Sequence, residues 1–258
     1  MEKLNWKRIL IFGLPIVFAV SLAITLAACM AEAGRDVGDS LFDGETTEPT
    51  EGSELPTVSI PEAEYSKGLE FSSKGDGTCA LTGLGECRDS VVNVPSKSPS
   101  GDVVTSIGMS AFLGNRSVKR IYLPSSVKTV GDYAFYDSAI EEILIPSGVE
   151  TIGEGAFASC RELRAISVES GNPKYSSLDG VLFSKDKSRL ICYPSGKTDK
   201  AYTVRLGVSV IESAAFLNCR YLEEIKYNGQ QKDWDKIKIG ANNTSLTSLT
   251  VKFLTSIK

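Results

Sequence analysis

The sequence predicts a stacked-coil solenoid, with a parallel β-sheet along one face and short turns, 3-10 or helical segments behind it. A nine-residue phrase of the form Val-x-x-Ile-Gly-x-x-Ala-Phe ends at Phe112, at Phe135 with Val130 in place of isoleucine, at Phe157 and, with Glu212 in place of glycine, at Phe216. The first three of these phenylalanines lie 23 and 22 residues apart. A second phrase, apolar-x-x-Ile-x-apolar, alternates with the first. A fixed period in the twenties marks repeats that bury their apolar face only by stacking, not a globule with one closed core.

The 258-residue chain divides into three unlike parts. Lys3, Lys7 and Arg8 precede a low-polarity run from Ile9 to Ala28 that ends in Leu26-Ala27-Ala28-Cys29. A positive start, an apolar core and small exit residues are what export machinery and its peptidase require. Residues 1–28 are therefore expected to be a signal peptide. Cysteine after Leu-Ala-Ala resembles the bacterial lipobox, which implies lipidation at Cys29 and attachment to the membrane there; two acyl chains would anchor it durably. An uncleaved membrane helix and ordinary cleavage leaving a free Cys29 are the alternatives. All three place the rest of the chain outside the cytoplasm. From Met30 to Glu64 there are ten acidic residues against Arg35 alone, with few large apolar groups. Such a segment cannot offset the entropy of ordering, so residues 29–66 read as an extended acidic tether. The formal charge of -4 is concentrated there, and the remainder is near neutral with both signs mixed. No basic stripe for phosphate is visible, so nucleic acid is not an expected partner.

Residues 67–258 form the expected repeat domain. The strand phrases end at Val94, Leu123, Ile145, Val168, Val204, Tyr227 and Val251. Their spacing is 22 to 24 except for one gap of 29 and one of 36, which read as insertions within the stack. Alternation puts Ile121 and Leu123 in the core and points Arg120 and Tyr122 outward. The last strand phrase, Leu246 to Val251, likewise points Ser248 and Thr250 out. Gly108, Gly131 and Gly153 are read as residues that give the turn its backbone freedom. The recurring phenylalanines should stack as a spine.

Ile140 to Cys160 closely resemble the coil of the BspA-like, or Treponema-type, leucine-rich repeat: Leu-x-x-Ile-x-Ile-Pro-x-x-Val-x-x-Ile-Gly-x-x-Ala-Phe-x-x-Cys. The resemblance extends to Asn172-Pro-Lys-Tyr-Ser-Ser-Leu-Asp-Gly180 and Leu190-Ile-Cys-Tyr-Pro-Ser-Gly196, similar to a hairpin insertion of that family (about 172–198), and to Trp234-Asp-Lys-Ile-Lys-Ile-Gly240, similar to its C-terminal cap (about 228–258). It implies a leucine-rich-repeat solenoid on a bacterial surface lipoprotein, some relatives of which bind host matrix proteins or other cells. Arg205 stands where proline is usual and Glu212 where glycine is usual, so a looser coil is expected after the insertion.

The chain has no histidine, which removes the commonest general base and the usual nucleophile systems. Glu141-Glu142 and Glu223-Glu224 remain as carboxylate pairs, but neighbours on a strand face opposite ways, so a solvated face accounts for them. Neither enzymatic activity nor a cofactor or metal is expected. Cys160, Cys192 and Cys219 read as small buried apolar groups. Cys79 and Cys87 flank Gly83-Leu-Gly85 and could either close a short hairpin as a disulfide or stay reduced.

The candidate binding face is the outward row of the sheet: Arg120, Tyr122, Glu142, Leu144, Ser167 and Lys226. Tyr122 beside Leu144 makes a small apolar patch with Arg120 and Glu142 as its charged border. The expected role is binding of a protein or glycan by a monomer, with adhesion at the bacterial surface. The alternative is a non-adhesive envelope component touching peptidoglycan or other lipoproteins.

Overall fold

The computed structural model describes residues 65–254. The leader, Cys29 and the acidic stretch to Glu64 lie outside the described residues. The chain enters through an antiparallel pair, β1 (Glu70–Ser73) and β2 (Thr78–Gly83), followed by β3 (Val91–Asn93) and β4 (Val103–Ile107). Regular coils then supply two short strands each: β5 (Arg120–Tyr122) and β6 (Thr129–Val130), then β7 (Glu142–Ile145) and β8 (Thr151–Ile152). After β9 (Ala165–Val168) come the inserted β10 (Tyr175–Leu178), β11 (Val181–Ser184) and β12 (Arg189–Cys192). The stack resumes with β13 (Ala201–Val204), β14 (Val210–Ile211) and β15 (Glu224–Tyr227), and closes with α1 (Gln231–Trp234), β16 (Lys238–Ile239), α2 (Thr244–Thr247) and β17 (Val251–Phe253).

The predicted solenoid is present, and each coil contributes to two ladders where one was expected. The strand phrases form the parallel order β3-β5-β7-β9. The residue pairs just before the glycines form a second ladder, in the order β1-β2-β4-β6-β8. Behind the insertion the ladders continue as β13-β15-β17 and as β10-β11-β12-β14-β16. Valine, isoleucine and threonine suit these positions because their branched side chains pack on a pleated surface.

The aromatic spine is real. Phe112 and Phe135 stack with centroids 5.1 Å apart and planes 5° apart, and Phe135 and Phe157 at 5.5 Å and 9°. Tyr193 takes the spine position contributed by the insertion, stacked on Phe216 at 5.2 Å. Nothing in the repeat pattern marks Tyr193 for this place, since no Ala-Phe phrase surrounds it.

The glycines do something other than expected. Gly108, Gly131 and Gly153 have ordinary backbone conformations; left-handed conformation falls two residues later, on Ser110, Tyr133, Gly155 and, after Glu212, Ala214, and again on Gly114, Asp137, Ser159 and Asn218. What glycine supplies is closeness. A methyl added to Gly131 would lie 2.6 Å from Met109 N, and one added to Gly240 would lie 2.4 Å from Ser213 N. Gly131, Gly153 and Gly240 thus sit against the first turn of the preceding coil, whereas Gly108 lies against strand β2. Glu212 is tolerated because the member before it is strand β12, not such a turn, and its N–H still bonds Leu190 O at 2.9 Å. The coil after the insertion is accordingly not loose: Ile211 and Phe216 are fully buried.

The last strand is displaced from its expected register. Thr244–Thr247 is helical and Ser248 caps that helix, so Ser248 and Thr250 are not outward strand residues. Val251 pairs with Ile225 and Phe253 with Tyr227, two residues later than the phrase suggests. Buried Asn243 imposes this: its amide nitrogen donates to Glu212 O and Gly240 O, and its side-chain oxygen accepts from Phe216 N.

Phe135→Ala should cost about 3–5 kcal/mol, because it removes a fully buried ring and its stacking on Phe112 and Phe157. Gly131→Ala should destabilise by about 1–3 kcal/mol through overpacking against backbone. Urea denaturation of the two variants checks both values, and an unchanged midpoint for Gly131→Ala would contradict the close-approach account.

Candidate functional site

The outward positions of the first ladder come from the alternation of its strands. Val92, Ile121, Ile143 and Ile166 are in register and point into the core, so the residues on either side of them point out. One outward row is Val91, Arg120, Glu142 and Ala165; the next is Asn93, Tyr122, Leu144 and Ser167. Tyr122 is 36% exposed and Leu144 is half-buried, so neither is a core residue. Arg120 lies opposite Glu142, although among the described residues no ion pair joins them. Val91 is exposed and extends the apolar character of the face by one strand.

Lys226 does not belong to this face. It lies on β15, in the ladder beyond the insertion, and the insertion occupies the edge of β9 on which β13 would otherwise pair. Ile166 N donates to Gly180 O at 2.9 Å, Val168 N to Ser177 Oγ at 3.3 Å, and Gly180 packs against Ala165. Five of the six expected residues (Arg120, Tyr122, Glu142, Leu144 and Ser167) therefore share one surface, and Lys226 stands on another. The period alone places all six on one face; only the path of the inserted hairpin separates them.

The second surface is charged. Glu224 meets Lys226 at 3.1 Å and Lys252, from the neighbouring strand, at 3.2 Å. The hydrogen bonds from Lys226 and then Lys252 hold the Glu224 carboxyl below its ordinary range. Glu223 pairs with Lys200. These carboxylates engage cations and not one another, which is the arrangement of a solvated strand face. Among the described residues, no group of three or more His, Cys, Asp or Glu side chains is placed to hold a metal ion.

Of the two alternatives for the cysteine pair, the structure has the reduced one. Cys79 and Cys87 are both buried and unbonded. Cys79 lies opposite Ser73, and Cys87 packs against Gly68, at the far end of β1. Five residues of extended chain span roughly 16 Å, beyond the ~7 Å limit for a bridge. Cys79 Sγ instead approaches Asp102 O at 3.6 Å. Cys160, Cys192 and Cys219 are buried as expected, and each points its thiol to a carbonyl of a preceding spine residue: Phe135, Phe157 and Tyr193. Burial pushes the Cys160 thiol up to about 11 and that of Cys219 up to about 12.

Residues 97–199 match the BspA type leucine rich repeat region, in six copies. The chain carries a BspA-type leucine-rich repeat region. Its solenoid is similar to the crystal structure of the pneumococcal vaccine antigen PcpA, at 31% identity and a TM-score of 0.51, over 58% of this chain and 35% of that one. The chain thus spans about a third of that protein's length. A leucine rich cell surface protein from Faecalibacterium prausnitzii matches at 19% identity and a TM-score of 0.43, covering 80% of this chain and 78% of that one. A leucine-rich repeat protein from Eubacterium ventriosum matches at 21% identity and 0.42, covering 74% and 71%. No curated protein matches the chain. Among the described residues, no helix is long and apolar enough to cross a membrane.

The raised thiol values carry a pH dependence for the BspA-type domain. Cys160 titrates near 9.0 when unfolded and near 11 when folded, so its contribution to stability is complete below pH 9 and lost as pH rises through 11. Thermal unfolding should therefore shift to lower temperature between pH 9 and 11. An Ellman assay at neutral pH should leave Cys160, Cys192 and Cys219 unmodified until guanidinium is added; labelling of any of them in the folded protein would contradict their burial.

Proposed function

We propose that this chain is a lipid-anchored bacterial surface protein that binds a protein or glycan through the outward face of β3, β5, β7 and β9. The observation that carries this reading is Tyr122, an exposed aromatic ring on a strand whose inward neighbour, Ile121, is core. Alternation obliges a strand to place some side chain there, but not an apolar one. Tyr122 and Leu144 share their outward row with the polar Asn93 and Ser167, while Arg120 and Glu142 supply charge in the next. An aromatic anchor with a polar rim is how recognition surfaces gain both affinity and orientation.

The partner class follows from the surface. A short row of mixed polar and aromatic groups suits another folded surface or a sugar ring better than a small molecule, which needs a concave pocket. A repeat fold presents such a face without any catalytic constellation. The leader and the Leu-Ala-Ala-Cys29 sequence support a surface location. Diacylation at Cys29 would tether the domain through the acidic stretch, leaving the face free to meet its partner away from the membrane.

The double substitution Tyr122→Ala with Leu144→Ala tests the reading. It should lower adhesion of cells displaying the protein to immobilised matrix protein or partner cells by roughly tenfold or more, as loss of a binding anchor does. Thermal stability should change by less than about 1 kcal/mol, the range of surface substitutions. Undiminished adhesion would reject the face. Metabolic labelling with a palmitate analogue, abolished by Cys29→Ser, tests the anchor separately.

A further inference from the structure

A second group of exposed apolar side chains lies on the turns of the solenoid. Met109 is 69% exposed, Leu113 53% and Tyr133 39%, and Tyr136 beside them is half-buried. Main-chain bonds from Ser110 N, Phe112 N and Gly114 N to Asp132 O, Ala134 O and Tyr136 O, at 3.0, 2.7 and 2.8 Å, hold the first two turns side by side. Met109 and Leu113 of one turn therefore stand next to Tyr133 and Tyr136 of the other, whose rings meet edge-on with centroids 5.7 Å apart. The stack does not require Tyr133. Ser110, Gly155 and Ala214 fill its position in other coils, and a bulky residue in the left-handed conformation is strained. Apolar side chains grouped in water in this way mark a contact surface.

The two borders of the cluster carry opposite charge. On one side are Asp132 and Glu154, joined by a bond from Glu154 N to Asp132 Oδ1 at 2.8 Å, and among the described residues neither carboxylate is in an ion pair. On the other side, past Leu113 and Tyr136, Arg116 pairs with Asp137 and stays 60% exposed. Each border disfavours a partner of one sign: a cationic segment meets Arg116, and an anionic segment or lipid surface meets two carboxylates. A partner that satisfies both must present a cation and carboxylates on opposite sides of an apolar centre. This chain's own cluster has that layout. A two-fold rotation about an axis normal to the cluster exchanges its borders, and so brings Arg116 of one copy to Asp132 and Glu154 of the other, twice per pair.

We propose that Met109, Leu113, Tyr133 and Tyr136 form a self-complementary contact through which two copies of this chain pair about a two-fold axis. The apolar side chains make the dry centre and the charges make the rim. The folded part is near neutral, so no long-range repulsion opposes the approach. A stable interface takes roughly 800 Å² from each partner, more than four partly exposed side chains supply. The pairing is therefore weak and is favoured where copies are concentrated.

The experiment uses the full chain displayed on cells and a short bismaleimide as crosslinker. Cys79, Cys87, Cys160, Cys192 and Cys219 are buried, so an introduced surface thiol is the reactive one, and the unsubstituted chain is the blank for Cys29. Leu113→Cys should give a crosslinked species of twice the chain's mass, well above the yield from Leu206→Cys, a side chain 56% exposed outside the cluster. Arg116→Glu or Glu154→Arg, added singly to Leu113→Cys, should lower the crosslinked fraction roughly fivefold by setting like charges against each other. The two together should restore it, because reversing both signs rebuilds the match across the axis. Thermal unfolding establishes that each variant is folded. A yield no greater than that of Leu206→Cys, a crosslinked partner of another mass, or a double exchange that leaves the fraction low would overturn the proposal; the second of these would assign the cluster to a different protein.

Discussion

The distance between neighbouring coils governs the rest of this structure. Parallel ladders hold adjacent strands about 4.8 Å apart, and every group between two coils must fit that interval. Glycine satisfies it at Gly131, Gly153 and Gly240, where the backbone of one coil lies against the turn of the one before. Flat rings satisfy it on the spine, with near-parallel planes at 5.1 and 5.5 Å. Left-handed residues serve the same spacing. They let alternate N–H groups of the turn run along the stack while those between them close local turns, as Leu113 N does on Ser110 O.

The insertion shows what happens where the interval is not repeated. It leaves the inner packing nearly continuous, since Tyr193 replaces a phenylalanine and Cys192 joins the thiol series beside Cys160 and Cys219. Apolar packing is non-directional, so a different chain path can supply the same contacts. Hydrogen bonds are directional, and they record the interruption. The edge of β9 turns to the hairpin through Gly180 and Ser177. One consequence for binding follows: the outward sheet face is divided into an aromatic part and a charged part.

Buried asparagines make this irregularity stable. Asn172 enters the insertion by donating to Pro146 O and Val149 O while accepting from Lys174 N and Tyr175 N. Asn243 does the equivalent at the closing end of the stack. A carboxamide carries donors and an acceptor on one short side chain, so it can close a chain reversal without leaving a polar atom alone. Neither residue stands out in the repeat pattern, because each lies where that pattern stops.

The period, the strand phrases and the spine were legible in the sequence because each depends on residues close together in the chain, or on one position recurring at a constant interval. Arg120, Tyr122, Glu142, Leu144 and Ser167 could be placed on one face by counting alternate positions. Counting failed at Lys226, at Val251 and for the role of Gly131, and it left Cys79 and Cys87 open. In each of these the deciding neighbour is remote in sequence: the hairpin on β9, Asn243 beneath Phe216, the length of β1 between two thiols, the turn one coil away. A repeat specifies its own contacts through local spacing, and only the folded stack decides what fills the place where that spacing is broken.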